Sequence, residues 1–142
     1  MRVPRPRVMA AAVALAFALT GCTEAPAATP TVRIDGVTWR AIEVAGQPTI
    51  PGLQPTVAFD GDHLSGFGGC NTFSGEVAIA DGAVDVGEIR ATLKTCDGPG
   101  GEAEVQFMRA LVSASTVTPG DGGQLLLDGS GGAIRLEPNT DG

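Results

Sequence analysis

Apolar and polar positions alternate in short runs along most of the chain. Val37–Val44, VTWRAIEV, alternates loosely and is rich in β-branched residues, with Trp39 expected inside. Thr56–Asp60, TVAFD, reads as a strand, Gly61-Asp62 as a hairpin turn and HLSGF as the strand returning from it. FSGEVAIA then sets Phe73, Val77 and Ile79 against polar or small neighbours. Asp81-Gly82 is a second tight turn, and AVDVGEIRATL extends away from it. STVTP, QLLLDG and AIRLEP repeat the pattern between glycine-rich turns. Gln47–Pro55 holds Pro48, Pro51, Gly52 and Pro55 and reads as a loop. Short strands at this spacing predict a small antiparallel barrel or sandwich.

One segment departs from the two-residue period. Glu102–Ser115, EAEVQFMRALVSAS, places Ala103, Phe107, Ala110, Leu111 and Ala114 on one helical face. Gly100-Gly101 precedes it, and Glu102 and Glu104 suit a first helical turn, where negative charge is favourable. The fold class expected is therefore mainly β (α+β): a small antiparallel sheet with one packed α-helix. A barrel interrupted by a helix leaves a gap that the helix can plug.

The first residues carry a different signal. MRVPRPR holds three arginines, and Val8–Leu19 is an uncharged apolar run. That run falls short of the roughly 20 residues that span a bilayer, and a basic front with a short apolar centre marks a secretory signal rather than an anchor helix. Leu19-Thr20-Gly21-Cys22 closes the run and resembles the bacterial lipoprotein lipobox. The resemblance implies cleavage before Cys22 and acylation of its thiol. Two or three acyl chains hold at a membrane where one does not, since each buried methylene adds about 0.8 kcal/mol. Lipidation also accounts for an odd cysteine among the chain's three. Thr23–Thr31, TEAPAATPT, cannot bury enough surface to fold and reads as a tether reaching some ~30 Å when extended.

These boundaries divide the chain into a signal at 1–21, a lipidated linker at 22–35, a folded domain at 36–138 and a disordered tail at 139–142. Removing the signal moves the formal charge from −7 to −10, because Arg2, Arg5 and Arg7 leave and all sixteen acids stay. The six remaining cations, among them Arg33, Lys94 and Arg109, are scattered. Such a surface suits neither nucleic acid nor anionic headgroups.

The densest motif is GFGGCNTFSG, Gly66–Gly75. A phosphate-binding loop requires a lysine and a helix start after its glycines, and here Cys70-Asn71-Thr72-Phe73 leads into a strand. A cysteine nucleophile requires a base, and the single histidine, His63, lies seven residues upstream. Cys70 and Cys96 in a secreted chain have a simpler outcome, a disulfide that removes the nucleophile. Asp60-Gly61-Asp62-His63 offers three ligand types but lacks the later ligands of a calcium loop. The reading that fits best is structural. Glycines permit a tight bend, Asn71 bonds local backbone, and the Cys70–Cys96 bridge staples the sheet.

Gly69-Cys70-Asn71-x-Phe73-x-Gly75 resembles the GCNxFxG signature of the META domain, or HslJ-like, family. Gly36-Val37-Thr38-Trp39 resembles its opening strand, and Thr92-x-x-x-Cys96 its second cysteine motif. Glu104-x-x-Phe107-x-x-x-Leu111 resembles its helix, and Leu125–Leu127 with Ile134–Leu136 its last hairpin. The resemblance runs from Gly36 to Pro138. It implies a cracked antiparallel barrel with one helix, often carried on bacterial lipoproteins linked to heat shock and antibiotic tolerance. It brings no catalytic residues to carry over, and no metal or cofactor is expected. The segment Asp97-Gly98-Pro99-Gly100-Gly101 departs from the family pattern and is expected to be a mobile lead-in to the helix.

Together these readings predict a non-catalytic lipoprotein, acylated on Cys22 and held on the extracytoplasmic face of the cell membrane, or at an outer membrane where there is one. It would be monomeric and would bind envelope proteins, or an apolar ligand inside the barrel. The alternatives are an inhibitor of secreted hydrolases acting through Gln47–Pro55 and an enzyme using Cys70 and His63.

Overall fold

A computed structural model describes residues 21–22, 24–26 and 31–141. The signal segment and most of the tether therefore lie outside the described residues. Nine strands and one helix follow in chain order: β1 (Thr38–Val44), β2 (Gln47–Pro48), β3 (Thr56–Asp60), β4 (His63–Phe67), β5 (Thr72–Ala80), β6 (Ala83–Ala91), α1 (Pro99–Val112), β7 (Ala114–Pro119), β8 (Leu125–Gly129) and β9 (Ile134–Pro138). All strand pairs are antiparallel, and β1 pairs with β9 as well as β3, which closes β1 and β3–β9 into an eight-stranded barrel. The described part holds no helix long and apolar enough to cross a membrane.

The expected mainly β fold with one packed helix is the observed one. The interior is filled by Trp39, Phe59, Leu64, Leu125, Leu127, Ile134 and Leu136, each almost wholly buried. The loose alternation of VTWRAIEV has a physical cause. A bulge against β9 between Ala41 and Glu43 inserts one residue, so the inward positions run Trp39, Ala41, then Val44. A second bulge, in the β5–β6 pair between Gly75 and Val77, moves the inward positions of β6 from Val84 and Val86 to Ile89. The Asp81-Gly82 turn takes positive φ at both residues, 52° and 79°, which matches the twist of the strands it joins.

The barrel has one weak seam. β6 and β7 meet at a single register pair, Ala83–Thr116, whereas every other seam of the ring has three or more. The chain leaves β6, runs through α1 and re-enters the sheet at β7. α1 packs against β6 and against β1, β8 and β9 on the other side, with Phe107, Ala110 and Leu111 buried.

Four segments differ from expectation. The helix begins at Pro99 and ends at Val112, three residues earlier at each end than the Glu102–Ser115 pattern predicts. Pro99 supplies a fixed φ at the first helical position, so Pro99-Gly100-Gly101 forms the first turn rather than a mobile lead-in. Ala114 is buried as expected, but in β7. Gln47-Pro48, expected in a loop, pairs with Glu43 and Val44 after a turn at Ala45-Gly46.

The other two concern the termini of the domain. Val32 and Ile34 pack against the core, and Ile34 O accepts the Trp39 indole N–H at 3.1 Å, so the linker assigned to 22–35 ends before Val32. The tail assigned to 139–142 is tied down in part: Asn139 N donates to Thr38 O at 2.8 Å, and Asp141 pairs with Arg40.

Candidate functional site

The Gly66–Gly75 motif forms the corner between β4 and β5, and its centre docks on the first half of α1. Gly68 N donates to Asn71 O at 2.8 Å, which closes the turn. Gly69 has φ of 123°, and a Cβ there would come within 2.9 Å of Gly100 O. A Cβ on Gly68 would meet the Glu104 carboxylate at 2.8 Å. Glycine at 69 lets corner and helix touch backbone to backbone, and glycine at 68 leaves room for the Glu104 side chain. Gly100 has the reciprocal reason, since a Cβ there would lie 3.0 Å from Gly69 O, while a Cβ on Gly101 would collide with Cys96 O.

Asn71 is the one buried polar residue of the described chain, 7% exposed. Its Oδ1 accepts from Thr92 Oγ1 at 2.8 Å and from Lys94 N at 2.7 Å. Its Nδ2 donates to Glu104 Oε1 at 2.8 Å and to Lys94 O at 3.2 Å. Glu104 Oε2 in turn accepts the backbone N–H groups of Cys70 and Asn71. One carboxylate thus takes three N–H donors from the corner, and charge-assisted bonds of this kind are the stronger class. The network joins the β4–β5 corner to the chain leaving β6 and to α1.

Cys70 and Cys96 are bridged, with Cα atoms 6.2 Å apart. The bond spans 26 positions of chain, for which loop-entropy arguments give about 3–4 kcal/mol. Replacing both cysteines by alanine is expected to lower unfolding free energy by roughly that amount in urea titration. The native circular dichroism should persist, because the Asn71–Glu104 bonds do not involve the sulfurs.

The sequence motif residues Gly69, Cys70, Asn71, Thr92 and Cys96 therefore gather in one place, with Phe73 and Gly75 continuing into β5. Phe73 points inward, its ring 5.9 Å from that of Phe107. Cys22 is exposed and unbridged. His63 is not part of the site. It starts β4, separated from the corner by the strand's length, roughly 13 Å for four extended steps. It pairs there with Asp62 at 2.6 Å; the hydrogen bond raises the His63 pKa and lowers that of Asp62, so both shifts favour the charged pair. Among the described residues no group of three or more His, Cys, Asp or Glu is placed to hold a metal ion.

Glu104 is the functional residue that sequence reading placed only on the helix and not in the corner. Its signal was available: it shares a face with Phe107 and Leu111, and a lone carboxylate on an apolar face implies a buried partner. Beside this network lies an open groove of about 640 Å³, lined among others by Lys94, Cys96, Asp97, Glu102, Val105 and Arg109. Its walls carry both signs of charge and one face of the disulfide.

A family model described as META domain matches residues 32–140. The match begins at Val32, which packs against the core ahead of β1, and ends just past Pro138. Among solved structures, an NMR structure of a protein from Burkholderia xenovorans is similar at 26% identity and a TM-score of 0.60, covering 75% of this chain and 84% of that one. A second NMR structure matches at 19% identity and a TM-score of 0.60, covering 74% of this chain and 91% of the other. The second likeness supports the fold alone. No curated protein matches the chain.

Proposed function

Because this chain belongs to the META domain family, with the domain occupying residues 32–140, we propose that it serves as a non-catalytic binding module of the cell envelope. In this reading Cys22 carries the lipid, the Pro/Ala/Thr-rich segment is the tether, and the barrel is displayed on the extracytoplasmic face. The observation that carries the non-catalytic part is the state of the corner's reactive groups. The Cys70 sulfur is in a bridge, and the Asn71 amide and Glu104 carboxylate are engaged with each other and with backbone. None of these groups is free to attack or to shuttle a proton.

A protein partner is favoured over an apolar ligand. Among the described residues the barrel interior is filled by large side chains, while the mixed-charge groove beside α1 is open to solvent. Its Lys94, Glu102 and Arg109 suit a polar partner surface. The inhibitor reading retains one point in its favour, the half-exposed Ile50 in the Gln47–Pro55 segment.

Two measurements test the proposal. A strain lacking the gene should lose survival under heat or envelope-acting drugs, and unchanged survival removes the stress role. A photo-crosslinking residue at Gln106 or Arg109 should capture an envelope protein on intact cells, while one at Thr118, on β7, should not. Equal capture from both positions, or from neither, counts against the groove.

A further inference from the structure

β6 has a strand partner on only one side for most of its length. Beyond Ala83 its register pairs are all with β5. The β5–β6 ladder shows which backbone groups face the open side. Thr92 N donates to Thr72 O at 3.0 Å, so these two residues form a hydrogen-bonded pair. The next pairs are Phe73–Ala91, Ser74–Arg90 and Gly75–Ile89. Bonded and non-bonded pairs alternate in an antiparallel ladder. Ile89 and Ala91 therefore turn their N–H and C=O groups away from β5, to the unpaired edge. Such an edge is a template for another strand.

The side chains select the strand. Glu88 and Arg90 flank Ile89 on the outer face, 82% and 86% exposed, and their loose 3.9 Å contact within the strand is one that a facing pair can exchange for a closer one. A run of one sign would repel a second copy, which is a common way of protecting an edge. Opposite signs placed symmetrically about one residue do the reverse. A two-fold axis through Ile89 sets Glu88 of each copy opposite Arg90 of the other. We propose that the β6 edge is a self-association surface, on which two copies of this chain pair antiparallel about Ile89 to form a two-fold dimer.

The geometry is consistent at each position. The two Ile89 residues exchange both backbone hydrogen bonds, as their outward N–H and C=O groups require. The Glu88–Arg90 pairs then fall at non-hydrogen-bonded positions, where facing side chains come closest. Leu93, two residues beyond Ala91, is 95% exposed and adds apolar surface at the end of the same edge. The bulge beside Gly87 limits the paired stretch to Gly87–Ala91. An interface of that length lies below the roughly 1,200–2,000 Å² of a standard stable complex, so the dimer is weak and concentration-dependent. The monomer expected from sequence is then the dilute form.

Sedimentation equilibrium of the full chain in detergent micelles, over a concentration series, tests this. The native chain should show a monomer–dimer equilibrium. Glu88→Arg or Arg90→Glu alone should weaken it about tenfold, since each substitution turns both symmetric attractions into like-charge contacts. The combined Glu88→Arg/Arg90→Glu chain should regain native association. Both sites are highly exposed, so circular dichroism should show each variant folded. A chain that stays monomeric throughout, a dimer indifferent to the single reversals, or a double reversal no better than the singles overturns the proposal. Any of these leaves the groove and its envelope partner untouched.

Discussion

Asn71→Asp is expected to destabilise the domain severely at neutral pH and to recover part of the loss in acid. The substitution changes one atom and no volume. It replaces an Nδ2–H donor, 2.8 Å from Glu104 Oε1, with a second carboxylate oxygen. Two carboxylates at that distance in a largely buried site cannot both ionise without a large penalty. The pair must hold a proton in the folded state, so its folded pKa is raised above the unfolded value. The folded variant then binds more protons than the unfolded chain between neutrality and the ordinary carboxylate range, and its stability rises as pH falls through that window. Asn71→Ala separates packing from charge. It strands Lys94 N and removes one donor from Glu104, at a cost of roughly 3–4 kcal/mol with little pH dependence of this kind. Urea unfolding of both variants at pH 7 and pH 5 checks the pair. An Asn71→Asp chain as stable as the native one at pH 7, or no better at pH 5, removes Glu104 as the partner that matters.

The corner shows where a sequence can be read and where it cannot. Its glycines, its cysteine and its asparagine announce a bend, because each has few other uses in that order. The bridging partner was legible from the count of cysteines, once Cys22 was assigned to the lipid. The partner of Asn71 was not. It lies 33 positions away on α1, and nothing local requires that a helix should come back to this corner. The same limit explains the helix boundaries. Pro-Gly-Gly is poor helix sequence, and it becomes a first turn only because Gly100 packs against Gly69 and no side chain would fit between them. Tertiary contact overrides propensity there. The strands were easier, since half-buried strands write their alternation directly into the sequence. Even so, alternation hides bulges: the step from Ala41 to Val44 looks like noise until β9 is seen to absorb the extra residue.

Phe107→Ala carries the other large expectation, and it concerns the seam. Phe107 is fully buried at the middle of α1 and stacks at a tilt on Phe73 of β5. Truncating a buried phenylalanine costs about 3–5 kcal/mol, transfer and cavity together. Phe107→Leu keeps most of the volume and should cost under about 1.5 kcal/mol. The distribution of the loss is more telling than its size. The β6–β7 seam has a single register pair, and α1, which packs on β6 and on β1, β8 and β9, is expected to brace it, whereas the β3–β4 seam is complete without the helix. Hydrogen exchange in Phe107→Ala should therefore quicken first at Ala83–Val86 and Ser115–Val117, and only later at Val57–Phe59. Uniform acceleration across both seams would mean that the barrel is cooperative as a closed ring and that the helix merely covers it. Selective acceleration at the seam would identify α1 as a side-chain brace for the seam that has the least backbone pairing.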